Sequence, residues 1–312
     1  MSAPLPPGYT READGRLRPP QIFADASLDR PFWEDGFVFQ PMLDAAELVD
    51  LRARFAELAP YDGFDPTTIE GARCTYHCTF LDEDRGYRRA SDELVRDVFA
   101  DKLAAVVPGY TILSSNIYVK PPGHGRFEIH LNWPTIEALD VPTLTVWVPL
   151  QDTNFGNGTI RLVRGSHHLF PDVAAASSDR FFDDFQTELI DNYLEPVDVG
   201  AGQALIFDDS LLHWSGANRS DRARVTFQIE MIPNDTQAIL WIRNPADPTL
   251  FDLWEIDKEY WIEYPMESVL TTPEGLPSAG QRPNPNRRVS FDEFEDAMRR
   301  RDEILRSKYA LS

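Results

Sequence analysis

Apolar residues recur at helical spacing in two early stretches of the chain. Leu48, Leu51, Phe55 and Leu58 fall three or four positions apart, and Asp44 with Glu47 supplies an Asp-x-x-Glu start. This pattern predicts a capped helix from Asp44. A second helix is predicted from about Asp92 to Val106, with Leu94, Val98 and Leu103 on its inner face. From Tyr110 to Glu230 the period shortens. Alternating or β-branched runs occupy Thr111–Lys120, Thr143–Leu150, Thr159–Val163, Gln203–Phe207 and Arg224–Met231. Turn signals separate them at Pro121-Pro122-Gly123, Asn157-Gly158 and Gly200-Ala201-Gly202. Short strands without intervening helices predict a closed or double-layered antiparallel β fold, not a nucleotide-binding βαβ fold.

The ends of the chain read differently. Residues 1–30, rich in Pro, Arg and Asp, are predicted to form a surface arm, and Pro273 to Arg288 a loop. Ser290 and Glu293 then open a last helix through Arg306. No internal repeat is visible. The simplest organisation is one domain, with the arm, a helical part over 31–109, a β core over 110–233 and a C-terminal extension over 234–312.

Composition narrows the function. The 312 residues are 42% hydrophobic and 12% aromatic, enough for a sizeable core. The formal charge of −21 repels nucleic acid and anionic membranes, and no basic cluster exceeds Arg299-Arg300-Arg301. The same charge disfavours polyanionic substrates and leans toward a neutral or cationic small molecule. The start of the sequence lacks the pattern of a signal peptide, and no apolar run is long enough to span a bilayer. With only Cys74 and Cys78, a disulfide scaffold is excluded and a cytoplasmic protein with free thiols is expected.

Histidines are scarce, six in all, so their placement is informative. His130 lies in Phe127-Glu128-Ile129-His130-Leu131-Asn132-Trp133. If this stretch is extended, Glu128, His130 and Asn132 share a face. His213 follows a strand and a turn, and Arg224 comes eleven residues later. In the strand that Arg224 opens, Arg224, Thr226, Gln228 and Glu230 share one face, opposite Val225, Phe227, Ile229 and Met231. Such a polar face either meets solvent or lines a ligand cavity, and pattern alone favours solvent.

The stretches Leu144–His167 (LTVWVPLQDTNFGNGTIRLVRGSH) and Gly202–Arg224 (GQALIFDDSLLHWSGANRSDRAR) resemble the phytanoyl-CoA dioxygenase family, as do SNIYVKPPG (Ser115–Gly123) and GFVFQPML (Gly36–Leu43). The likeness extends over roughly Trp33 to Pro233. It implies a mainly β fold with flanking helices, built on a double-stranded β-helix of the jelly-roll or cupin type. It also implies an Fe(II)- and 2-oxoglutarate-dependent oxygenase that acts with O2 on a small-molecule substrate. By that resemblance His130 and His213 are metal ligands, and Arg224 grips the far carboxylate of 2-oxoglutarate, which suits a planar bidentate donor. Ser215 adds a hydroxyl contact, and Lys120 and Trp147 line the cosubstrate. Hydroxylation of an unactivated C–H bond is the default outcome, with desaturation or ring formation as variants.

One position departs from the family pattern. Where His-x-Asp or His-x-Glu is expected, this chain has His130-Leu131-Asn132. An amide oxygen ligates a metal without contributing charge, so weaker iron binding is expected. Three readings follow. Asn132 completes or adjoins the metal site of a working enzyme, a neighbouring carboxylate such as Glu128 substitutes, or the protein binds a small ligand without catalysis. A metal-dependent enzyme of this fold that does not use 2-oxoglutarate is a further alternative. Retention of both histidines, Arg224 and Ser215 together favours the working enzyme.

The other candidates read as structural. His167 and His168, after Gly165-Ser166, are expected to fix a turn, and His124 to sit in an exposed loop. His77 between Cys74 and Cys78 lacks the second ligand pair of a zinc site, so buried thiols beside a pocket are expected. Ser210, His213 and Asp208 or Asp209 have no nucleophile elbow around them and are not read as a hydrolase triad. The run Trp254–Tyr264 is expected to pack on the barrel, with a lid over the site as its functional alternative.

Overall fold

The computed structural model describes residues 5–60, 64, 76–125, 127–175, 178–265 and 275–311. Strands β1 (Thr10–Arg11) and β2 (Leu17–Arg18) precede helix α1 (Asp29–Asp35), strand β3 (Phe37–Pro41) and helix α2 (Ala45–Phe55). Strand β4 (His77–Cys78) and helix α3 (Arg85–Val106) come next. The central part runs β5 (Tyr110–Lys120), β6 (Phe127–His130), β7 (Leu144–Pro149), β8 (Ile160–Leu162), α4 (Gln186–Asn192) and β9 (Glu195–Pro196). It continues with β10 (Gln203–Asp208), β11 (His213–Ser215) and β12 (Arg224–Pro233). Beyond it lie β13 (Ala238–Arg243), β14 (Leu250–Ile256), α5 (Tyr260–Glu263), β15 (Ser278–Pro283), α6 (Phe291–Arg299) and α7 (Arg301–Lys308).

The larger central sheet has the order β3-β10-β7-β12-β5-β4, and the smaller β6-β11-β8-β9. Following the chain, β5, β7, β10 and β12 enter the larger sheet, while β6, β8, β9 and β11 enter the smaller. The strands thus wind back and forth between two antiparallel layers. This alternation is consistent with the winding expected of a double-stranded β-helix.

Side-chain alternation explains how the layers are held. On β12, Phe227, Ile229 and Met231 face outward into the main core, where Phe227 meets Phe55 of α2 and Phe99 of α3 with centroids 6.3 and 6.1 Å apart. Arg224, Thr226 and Gln228 turn inward, and all three are buried. The polar face of this strand therefore does not meet bulk solvent, contrary to the reading that pattern alone favours. Helices cover the outer face, so the inner one becomes the lining of the roll. Between the layers Phe37, Trp147, Ile160, Leu162, Leu205 and Phe207 form an apolar plug. The chain enters this region through Gly36 at φ +87°, where a Cβ would lie 2.7 Å from both His167 Nδ1 and Leu211 Cδ1.

Helix α2 begins at the predicted place. Asp44 accepts from the Ala46 and Glu47 amides, while the Glu47 carboxylate accepts from the Asp44 amide at 2.9 Å. Helix α3 begins at Arg85, one turn and more before the predicted Asp92, because Asp84 caps it through the Gly86 and Tyr87 amides. Its first turns are polar except for Tyr87, which hid them from a periodicity search. The predicted loop after Pro273 contains strand β15, an exposed edge paired with β14 that carries no apolar alternation. The last helix breaks at Arg300 into α6 and α7.

Residues 1–30 are not a free arm within the described part. Tyr9, Leu17, Ile22 and Phe23 are buried, and the Tyr9 hydroxyl lies 3.3 Å from that of Tyr110. Apolar anchors at three points, Tyr9, Leu17 and the Ile22–Phe23 pair, tie down a segment whose composition is otherwise polar.

Candidate active site

Strands β6 and β11 pair so that His130 and His213 are direct cross-strand partners. Their imidazole centroids lie 4.0 Å apart. The Nδ1 of His130 faces its own strand's Glu128 carbonyl at 2.6 Å, and that of His213 faces the Leu211 carbonyl at 2.9 Å. A protonated Nδ1 donating to a carbonyl leaves Nε2 as the basic nitrogen, the tautomer in which histidine ligates a metal. Burial pushes the His213 pKa down to about 4, although the Leu211 carbonyl acts in the opposite direction. His213 is therefore neutral at physiological pH.

Asn132 lies just beyond the end of β6, so the simple alternation predicted for Phe127–Trp133 stops at His130. Its amide Nδ2 donates to Thr145 Oγ1 at 2.7 Å and to Asp209 Oδ1 at 3.0 Å. The backbone repeats the link, with the Asn132 amide donating to the Asp209 carbonyl at 2.9 Å. Two acceptors on Nδ2 fix which arm of the amide is oxygen, and Oδ1 receives no hydrogen bond from the described residues. Glu128, the considered substitute, faces Arg180 at 3.6 Å instead. Among the described residues, no three His, Cys, Asp or Glu side chains converge as a metal group. The candidate donors are thus two imidazoles and an amide oxygen, types that fit a divalent cation but bring no carboxylate charge.

Arg224 and Lys120 are cross-strand partners at one end of β12 and β5, and both are buried. The Ser215 hydroxyl accepts from Lys120 Nζ and, at 3.4 Å, from Arg224 Nη1, and donates to the Gly158 carbonyl at 3.1 Å. Arg224 also donates to the Gly158 carbonyl, and Lys120 to the Gly216 carbonyl at 2.6 Å. The guanidinium carbon lies 5.4 Å from the centre of the Trp147 ring. Two adjacent cations, a hydroxyl and an aromatic wall inside a β roll form a cradle for a carboxylate. Gly158 makes the turn possible. At φ +71° a Cβ there would sit 2.7 Å from the Gly216 carbonyl oxygen.

All seven residues singled out from the sequence lie in or beside the interior between the two sheets. Sequence reading missed Asp209 and Thr145 as partners of Asn132, and Glu230 as a half-buried acid on the inner face of β12. Asp209 stands four residues before His213, a position that shows only as part of the discounted triad. Glu230 is the cross-strand partner of Thr145, and its carboxylate accepts from Ser114 at 2.6 Å. Burial, with Asp209 adding to it, pushes the Glu230 pKa up to about 7. Asp209 is raised to about 6 by burial, against the pull of hydrogen bonds from Asn132 and Thr145.

A model of the phytanoyl-CoA dioxygenase family matches residues 32–226, well over half of the chain. The chain belongs to the phytanoyl-CoA dioxygenase family. Proteins of this family use Fe(II) and 2-oxoglutarate. No curated protein sequence matches the chain. Among solved structures, the non-heme alpha-ketoglutarate-dependent carbocyclase SnoK from nogalamycin biosynthesis is similar at 23% identity and a TM-score of 0.51. That match covers 67% of this chain and 84% of SnoK, and supports the fold alone. EctD from S. alaskensis, solved with 2-oxoglutarate and 5-hydroxyectoine, matches at 18% identity and a TM-score of 0.48, covering 76% of this chain and 84% of its own. The ThoJ non-heme monooxygenase nickel complex matches at 19% and 0.47, covering 90% of this chain and 99% of its own.

The remaining candidates have structural surroundings. His168 Nε2 meets Asp208 at 2.7 Å, and Asp208 also accepts from Ser210, so no Ser210–His213–Asp triad forms. His167 Nε2 lies 3.0 Å from the Trp33 carbonyl. His124 is exposed, and His77 is buried with its Nε2 2.7 Å from the Tyr87 hydroxyl. Cys78 is buried on a strand of the larger sheet and its Sγ accepts from Asn116 at 3.1 Å, while Cys74 lies outside the described residues. In the Trp254–Tyr264 run, Tyr260, Trp261 and Ile262 are buried, and Trp261 stacks on Phe80. No described helix is long and apolar enough to cross a membrane.

Proposed function

We propose that the protein is an Fe(II)/2-oxoglutarate-dependent oxygenase that oxidises an unactivated C–H bond of a small molecule. The observation that carries this reading is the cross-strand His130–His213 pair, with centroids 4.0 Å apart, in the same interior as the Arg224–Lys120–Ser215 cradle. His130, His213 and the Asn132 oxygen would hold the metal. Arg224 and Lys120 would bind the distal carboxylate of 2-oxoglutarate, with Ser215 fixing both cations and Trp147 closing one side. When bound, Fe(II) would activate O2, the oxidant, with 2-oxoglutarate as co-reductant: one oxygen atom would go into succinate as carbon dioxide leaves, and the other into the substrate on hydroxylation.

The protein's own contribution is positional and electrostatic. Held neutral by burial, the His213 imidazole accepts a metal without first losing a proton. The buried cations give the cosubstrate one orientation in a site sheltered from water. The reading is tested by adding Fe(II) and 2-oxoglutarate anaerobically and recording the visible spectrum. A charge-transfer band of chelated 2-oxoglutarate is expected, followed in air by succinate formation. No band and no succinate across a broad panel of small molecules would overturn it in favour of a ligand-binding protein of this fold.

A further inference from the structure

Asn132 occupies the place where a carboxylate is expected, yet a carboxylate lies one hydrogen bond behind it. Asp209 Oδ1 takes the Asn132 Nδ2–H at 3.0 Å and the Thr145 hydroxyl at 2.6 Å, while Thr145 Oγ1 accepts from the same Nδ2 at 2.7 Å. The three side chains close a triangle, which the Asn132 N–H to Asp209 carbonyl bond at 2.9 Å pins to the backbone. Asp209 is 4% exposed, so this arrangement is made out of water, where a charged acceptor acts strongly on its donor. Both arms of Nδ2 point at acceptors, and Oδ1 is the arm left over.

We propose that Asp209 is a positioning residue that substitutes for the missing ligand charge by holding and polarising the Asn132 amide. The proposal rests on the oxygenase reading of this site. A carboxylate that accepts from an amide N–H draws positive charge toward nitrogen and leaves the carbonyl oxygen richer in electrons. The oxygen then becomes a better donor to a metal held by His130 and His213. The same relay operates where a carboxylate backs a metal-bound histidine, and losing such a partner typically weakens metal affinity by about 10–100-fold. The negative charge of the usual ligand set is kept, displaced outward by one residue. The bond that would otherwise let the amide rotate is also locked.

The test is a Ni(II) titration by calorimetry, without oxygen chemistry, on the full chain. Wild type, Asp209→Asn, Asn132→Asp and the exchange variant Asn132→Asp/Asp209→Asn are compared. Asp209→Asn is expected to weaken Ni(II) binding about 10–100-fold. The exchange variant, with the carboxylate moved to the inner position and the amide behind it, is expected to recover wild-type affinity or exceed it. It should also bind more tightly than Asn132→Asp, in which two carboxylates face each other across the same contact. Thr145→Val, which removes a shared partner without touching either charge, guards against a folding defect and should weaken binding in the same direction but less. Affinity in Asp209→Asn within twofold of wild type, or no recovery in the exchange variant, overturns the proposal. Absence of Ni(II) binding by the wild type would instead strike the oxygenase reading itself.

Discussion

Glu230→Gln isolates the cost of keeping an acid inside the roll. Glu230 sits on the inner face of β12, bonded to Ser114, with no basic side chain paired to it among the described residues. Its pKa rises from 4.5 to about 7, first through burial and then through Asp209. A folded-state pKa above the unfolded value means that folding favours the protonated form. The neutral carboxyl therefore costs least below about pH 4.5, and stability is lost progressively as pH rises toward 7. Once both states are ionised, a shift of this size corresponds to about 3 kcal/mol at 1.36 kcal/mol per pKa unit. Because Glu230 is only half-buried, about 2 kcal/mol is the magnitude to expect between pH 5 and pH 8. Glutamine keeps the oxygen that accepts from Ser114 and never ionises. Urea unfolding of both proteins across this range should give similar stabilities at pH 5 and a variant about 2 kcal/mol more stable at pH 8. A stability difference that stays flat from pH 5 to pH 8 would refute the assignment of a strained, ionisable Glu230.

Three further outcomes follow from the same geometry. Arg224→Lys keeps the charge but loses the bidentate fork, so 2-oxoglutarate binding to the Ni(II)-loaded protein should weaken by about tenfold or more in a calorimetric titration, with Ni(II) affinity unchanged. Gly36→Ala forces φ +87° on an alanine whose Cβ meets His167 and Leu211 at 2.7 Å, and should cost about 2 kcal/mol or more in urea unfolding. Asp208 is desolvated, which opposes ionisation, but His168, His167 and Ser210 outweigh this and bring its pKa down to about 2. Its contribution is present above pH 3.8 and lost as pH falls through about 2, so Asp208→Asn should flatten the acid limb of a stability–pH curve.

The core strands were more legible in the sequence than the fold's edges. The β strands of the core and the capped helix α2 are legible because each follows a local rule, alternation or a capping box, and the proposed site residues His130, His213, Arg224 and Ser215 could be named because a motif holds them in order. What was not legible depends on pairing. Strand β15 exists because β14 offers it a partner, and its own residues are mostly exposed. The anchors Ile22 and Phe23 are too sparse to register in a Pro- and Arg-rich segment. The polar face of β12 was assigned to solvent because period alone does not say which face a second sheet covers. Asp209 was hidden for a similar reason, since its meaning comes from Asn132, more than seventy positions away.

The winding of the roll has a kinetic consequence. Lys120 and Arg224 meet across β5 and β12 although about a hundred residues separate them, and His130 and His213 are more than eighty apart. Contacts of such high sequence separation form slowly, because the loop entropy must be spent before the pairing rewards it. None of the short segments brings two of the proposed ligand strands together by itself. The metal cannot nucleate this chain, as zinc does a small finger, and can only join once the distant strands β6 and β11 have paired. Recovery of metal binding after denaturation should therefore lag behind recovery of secondary structure, marking the last event of folding.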